Sequence, residues 1–175
     1  MANRMLPLYL DRIISVMAYC LPLVEALYFF SARIFLYPGD ENMKVFFLKY
    51  FQPVILFYTD YMYICFIVTI IAFMICVNNS LPITGTKLRL TKFLRINVVQ
   101  GILVEVFITA IGQVFVMCPS FIKNSILGTF ISGGCFFSIV GLVLFSIFLI
   151  IIGRYPRIPI ITESARLQTW AADNL

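Results

Sequence analysis

The chain has 175 residues, is 62% hydrophobic and carries a net charge of +5; its mean hydropathy is +1.00. That apolar content exceeds the roughly half expected of a soluble domain, and the cations fall between apolar runs, which points to membrane orientation rather than nucleic-acid binding. Histidine is absent, which excludes a histidine-ligated haem, a mixed histidine zinc site and imidazole acid–base chemistry.

The pattern predicts an all-α integral membrane bundle of four transmembrane helices, one membrane domain over 1–175. The spans cover about 13–36, 54–77, 96–118 and 126–152, with a short tail at 153–175, since about 20 apolar residues cross a bilayer core. The apolar stretch after Arg12 is too long for a signal peptide, includes Glu25 and lacks a small-residue cleavage site. It is therefore read as the first span; in an organelle, such a start implies organelle encoding or a mature chain. Pro22 removes a backbone hydrogen bond and crowds the preceding turn, so a kink is expected just before Glu25.

Between the first and second spans, "NMKVFFLKYFQP" (Asn42 to Pro53) places Phe46, Phe47, Tyr50 and Phe51 on one side of a helix and Lys49 and Gln52 on the other. This suits an interfacial helix; the alternative is an early start of the second span. That span begins after Pro53, has Asp60 near its first end, and Tyr58, Tyr61 and Tyr63 supply an aromatic belt. "ITGTK" (Ile83 to Lys87) has one glycine and reads as a turn, not a phosphate loop.

In the third span Asn97, Gly101, Glu105, Thr109 and Gln113 form an i, i+4 row, with Gln100 just outside it. Val99, Leu103, Val106, Phe107, Ala110 and Val114 make the opposite side, suited to lipid or to apolar neighbours. Glu25 and Glu105 lie at similar depth, about 15–20 Å from the same surface at 1.5 Å per residue. No Lys or Arg falls inside a span core to pair with them, and an unpaired charge there costs several kcal/mol. They are either protonated and bonded to Asn, Gln or Tyr, or they face a wet cavity. Three roles stay open: interhelical glue, an aqueous path, or the site of an ion- or proton-coupled carrier.

The fourth span has small residues four apart, Gly128 with Ser132 and Gly134 with Ser138, then Gly141, which suit close helix packing. Gly153 ends it, Pro156 and Pro159 force an extended segment, Ile158, Ile160 and Ile161 dock back, and Thr162 caps a short helix over "TESARLQ". The five cysteines form no Cys-x-x-Cys pair and read as small apolar residues, with a regulatory thiol at Cys118 the alternative.

Arg4 and Arg12, then Lys87, Arg89, Lys92 and Arg95, then Arg154, Arg157 and Arg166 share one side; Arg33, Lys44, Lys49 and Lys123 lie on the other. Nine against four places both termini on the inside. No nucleophile–base set, metal site or phosphate loop can be assembled, so no enzyme and no cofactor are expected.

Three stretches, "RIISVMAYCLPLVEALYFF" (Arg12 to Phe30), "LRINVVQGILVEV" (Leu94 to Val106) and "GRYPRIPIITESARLQ" (Gly153 to Gln168), together resemble one family. It is the twenty-kilodalton, four-span subunit of the translocon at the inner envelope of chloroplasts (Tic). The matching residues are Tyr19 and Pro22 in the first span, Arg95, Asn97 and Gln100 at the third-span entry, and Gly153, Pro156 and Pro159 after the fourth. The entry departs from the family pattern in having Ile96 where an aromatic is usual. The missing transit peptide fits a plastid-encoded algal form or a trimmed chain. The resemblance implies a membrane subunit of the import translocon, with stromal termini, acting with other translocon subunits on precursor proteins that carry transit peptides. From the residues, a path of Glu25, Asn97, Gln100, Glu105, Thr109 and Gln113 would attract basic, acid-poor transit peptides. The alternatives are a scaffold subunit of that complex and a small ion- or proton-coupled carrier.

Overall fold

A computed structural model describes residues 9–36, 41–80, 88 and 90–173; the Ile83–Lys87 turn, Arg4 and Arg89 lie outside them. The described residues are helical throughout their length except for short connections. The first span runs from Tyr9 to Phe35. It is built of α1 (Tyr9–Ala18), α2 (Cys20–Ala26), a π-turn over Leu27–Ser31 and α3 (Ala32–Leu36). Then come α4 (Glu41–Tyr50), α5 (Gln52–Asp60), α6 (Met62–Asn78), α7 (Lys92–Met117), α8 (Ser120–Lys123), α9 (Ile126–Ile152) and α10 (Ile161–Asp173).

The first span, α7 and α9 are each long and apolar enough to cross a membrane. The pair α5 and α6, bent by 73° at Tyr61, is apolar enough to make a fourth crossing when the two are taken as one span. The second span is thus broken one residue after Asp60. The helix before it, α4, is separate. Its Phe47 is buried and stacks on Phe35 with ring centroids 5.6 Å apart, while Phe46, Lys49 and Tyr50 are exposed.

Local chemistry sets the helix ends. Thr91 accepts the Leu94 N–H at 3.2 Å to start α7, and Ser125 accepts the Gly128 N–H at 3.2 Å to start α9. Gly153 (φ 85°) ends α9 with Gly153 N–H donating to Ile150 O and Arg154 N–H to Leu149 O, a Schellman closure. The first span breaks at Tyr19, not just before Glu25. Pro22 has no N–H for the Ala18 carbonyl four residues back, and Tyr19 N–H closes a tight turn onto Val16 O at 3.0 Å.

The first span and α7 run parallel. Asp11 meets Thr91, Ala18 meets Gly101, Glu25 meets Thr109 and Phe29 meets Gly112. The fourth span runs antiparallel to the first: Arg12 Nη1 donates to Ile151 O at 2.9 Å and Ser132 Oγ to Phe30 O at 2.8 Å. The second span lies antiparallel to α7, where Thr69 faces Glu105 and Cys76 faces Arg95. Close helix contact links the fourth span to the first, the first to the third, and the third to the second, while α10 crosses α6 and α7 at the inner end. We call inner the end that carries Tyr9, Thr91 and Gly153.

The third span is central. Every residue from Phe93 to Ile102 is buried; Val99, on the apolar side, has apolar neighbours rather than lipid, in one cluster with Ala165 of α10 and Cys76 of α6. Only the second half of α7 is one-sided, with Val106, Phe107, Ala110 and Val114 exposed. The small-residue stripe of α9 packs in part. Gly128 sits against the Ile122 and Lys123 backbone, but Gly134 and Gly141 have nothing within 4 Å of a Cβ position.

A Cβ at Gly101 would stand 2.9 Å from the Ala18 carbonyl oxygen that Pro22 leaves without its helical donor. Gly101→Val should therefore destabilise the purified protein by about 1–3 kcal/mol, whereas Gly141→Ala should be neutral or stabilising by up to about 1 kcal/mol. Thermal unfolding in detergent measures both.

Candidate functional site

The polar groups of the seam fall into two clusters along the first and third spans. The outer one is centred on Glu25, which is 3% exposed. Its Oε1 accepts the Tyr58 hydroxyl at 2.8 Å and its Oε2 accepts the Thr109 hydroxyl at 2.6 Å. Thr109 also lies 3.0 Å from the Glu105 carbonyl, one turn back on its own helix. The Glu105 carboxyl is buried too and accepts the Thr69 hydroxyl at 3.5 Å. The two carboxyl groups lie within electrostatic reach of one another. Four helices meet at this point: α2, α5, α6 and α7. The π-turn begins two residues after Glu25, widening the helix where the polar side chain enters.

The inner cluster contains Ser15, Tyr19, Asn97 and Gln100, all fully buried. The parallel register sets Ser15, one turn below Ala18, level with Asn97, one turn below Gly101. Gln100 Nε2 donates to Pro156 O at 3.2 Å and to Thr162 Oγ1 at 3.1 Å, which fastens the tail to the third span. Among the described residues, Ser15 Oγ, Tyr19 Oη, both side-chain polar atoms of Asn97 and Gln100 Oε1 have no hydrogen-bond partner. Tyr19 lies beside Ser146, whose hydroxyl donates to Leu142 O at 2.8 Å. Buried polar groups normally find partners, and each exception asks for a reason.

The remaining sequence candidates part company. Gln113 is exposed near the outer end, as is Asp60. Arg95 is buried rather than a loop charge. Its Nε donates to Cys76 O at 2.7 Å, and its Nη2 to Val77 O at 2.8 Å and Thr169 O at 3.2 Å, capping the carbonyl end of α6. Thr162 does not cap a helix. Helix α10 starts one residue earlier, and the Thr162 hydroxyl accepts Ile158 N–H at 2.8 Å and lies 3.2 Å from Pro156 O. Ile158 docks on the bundle, but Ile160 is 81% exposed. The five cysteines are free.

Tyr58 and Thr69 were not legible as site residues. Tyr58 belongs by composition to an aromatic belt; in fact it turns inward, and only Tyr61 and Tyr63 are exposed. Thr69 did carry a signal, being the one hydroxyl or amide between Tyr63 and Asn78 in an apolar run. Among the described residues no cluster of His, Cys, Asp or Glu could hold a metal ion.

Thr109→Val keeps the shape of the side chain but removes the bond to Glu25. It should cost about 1–2 kcal/mol of stability, read by thermal unfolding, while Gln113→Leu at the exposed end of the same row should change it by less than about 0.5 kcal/mol.

Comparison with known proteins matches this architecture to one family. The family described as "Chloroplast import apparatus Tic20-like" matches residues 2–165. A Tic20 family protein Ycf60 of Gracilaria tenuistipitata var. liui is 29% identical over 158 residues, covering 90% of this chain and 74% of that protein. Another, of Porphyra purpurea, is 28% identical over 157 residues, with coverage of 90% and 74%. A Tic20 family protein of Synechocystis sp. (strain ATCC 27184 / PCC 6803 / Kazusa) is 27% identical over 160 residues, covering 90% of this chain and 92% of that protein. With a match over nearly its whole length and relatives in red algae and a cyanobacterium, this all-α membrane protein belongs to the Tic20 family.

Proposed function

We propose that the chain is a membrane subunit of the protein import translocon of the plastid inner envelope, with both termini in the stroma. In this reading the polar seam between the first and third spans borders the path of precursor proteins. The observation that carries the reading, beside family membership, is the inner cluster: buried Asn97, Ser15, Tyr19 and Gln100 present polar atoms without protein partners. A seam of this kind is wettable, because water bonded to such groups replaces the partners the protein does not supply. Glu25 and Glu105 extend it to mid-depth, where a basic, acid-poor transit peptide would be attracted. The break at Tyr19 and the π-turn over Leu27–Ser31 are the places where the first span can yield. Four spans in a row enclose no wide lumen, so partner subunits or further copies complete the wall.

A second reading, a scaffold subunit, is favoured by the outer cluster, whose carboxyl groups find hydroxyl partners within the chain. Nothing in the geometry favours a coupled carrier over these two.

Two measurements separate them. Thr109 is itself part of the hydrogen-bonded network, so a photo-crosslinking residue belongs at exposed Gln113 on the same row, with Phe107 on the apolar side as control. Gln113 should crosslink to a precursor arrested during import and Phe107 should not. Adducts from Gln113 to membrane subunits alone would make the row an assembly surface. Asn97→Leu removes the unpartnered amide at similar volume. It should slow import several-fold at unchanged protein level and complex assembly; unchanged import would refute the wettable seam.

A further inference from the structure

The third and fourth spans both pack on the first rather than on each other, and a groove of about 480 Å³ remains between them. Its walls are apolar: Phe107, Ile108 and Ile111 from α7, and Cys135, Ile139 and Leu142 from α9. It is open over Gly134, where a Cβ would meet nothing within 4 Å. Ile158 and Pro159 of the tail close its inner end, and the same two residues line a second cleft of about 320 Å³ with Arg157, Glu163 and Arg166. The groove and the cleft therefore adjoin, with Ile158 and Pro159 lining both. Neither the Arg157 nor the Arg166 guanidinium group has a hydrogen bond or ion pair among the described residues. Two guanidinium groups against one carboxylate leave the cleft positive. Burial raises the Tyr155 phenol above its ordinary range, partly offset by Arg166, so Tyr155 adds no competing anion.

The backbone at the junction is strained. Ile160 has φ 67°, and Ile161 N–H donates back to Pro159 O at 2.7 Å, a γ-turn that a β-branched residue rarely adopts. Its effect is to hold the Ile160 side chain outward at the mouth of the groove. Strain of this kind persists where the surrounding structure over-determines it, often at ligand sites.

We propose that groove and cleft together bind one anionic phospholipid, with an acyl chain between the third and fourth spans and the phosphate between Arg157 and Arg166. Charge and polarity choose this occupant. A membrane-facing apolar groove alone would accept any alkyl chain, but only an amphiphile with a negative head satisfies the arginines at its end. Glu163 accepts from headgroup hydroxyls, which suits a glycerol head. The proposal does not depend on the import role.

The test uses the full chain in detergent, titrated with phosphatidylglycerol or phosphatidylcholine, with bound lipid counted by native mass spectrometry. Phosphatidylglycerol should be retained at least tenfold better than phosphatidylcholine. The Arg157→Gln, Arg166→Gln double variant should lose that preference, and both positions are exposed, so folding is spared. Gly134→Leu, which fills the groove over open space, should also lower retention several-fold without lowering thermal stability. Equal retention of the two lipids by the unaltered protein would overturn the proposal. So would loss in the arginine variant but not in Gly134→Leu, which would mean a headgroup contact without a groove. Thermal stabilisation by inorganic phosphate equal to that by phosphatidylglycerol would mean a free-anion site and would overturn it too.

Discussion

Thr109 gives its hydroxyl to Glu25 across the seam between the first and third spans, and the register that this bond demands recurs along both helices. In surroundings that are apolar on every side, dispersion forces have little direction, so a hydrogen bond between buried side chains decides how two helices slide against each other. With Glu25 level with Thr109, Gly101 must lie against the Ala18 backbone and Gly112 against the Phe29 ring, and only glycine fits at either place. The same register delivers Asp11 to Thr91, whose hydroxyl also starts the third span. Tyr58 and Thr69 then draw both halves of the broken second span to the same acids.

A second constraint operates at the helix ends. The last carbonyls of a helix lack internal donors and carry partial negative charge. Here long cationic side chains from neighbouring elements reach them: Arg12 reaches Ile151, Arg95 reaches Cys76 and Val77, and Lys123 reaches Val116. Arg33 joins Lys123 O and Asn124 Oδ1 at 2.9 and 2.5 Å. Charges that a topology count treats as loop markers thus also lock the ends of the spans.

The two constraints leave the third span with two different sides. Toward the first span it carries the seam, with acids satisfied by hydroxyls and amide atoms that are not. Toward the fourth it carries a groove that the tail closes from the inner end. One side thus holds buried polar groups, some without protein partners, while the other presents an apolar groove. Gln100 connects them, since it stands in the inner cluster and holds Pro156 and Thr162 of the tail.

Composition and run length alone determined the membrane class and the all-α fold, because a bilayer admits few backbone arrangements and fixes their length. The row Asn97, Glu105 and Thr109, and Glu25 opposite it, could also be read directly, since intramembrane polar residues stand out against an apolar background. Family membership was carried by short motifs around Pro22, Arg95 and Pro156. Tertiary structure decided the rest. Periodicity could show that α7 has a polar row, but not that α10 and α6 would bury Val99 on the other side. Nor could it show that Tyr58 would turn inward, that Arg95 would cap α6, or that the break of the first span would fall at Tyr19. Those outcomes depend on which helix lies next to which, and neighbour order in a membrane follows from a few buried hydrogen bonds and close backbone contacts between residues some 80 positions apart, as Asp11 and Thr91 are.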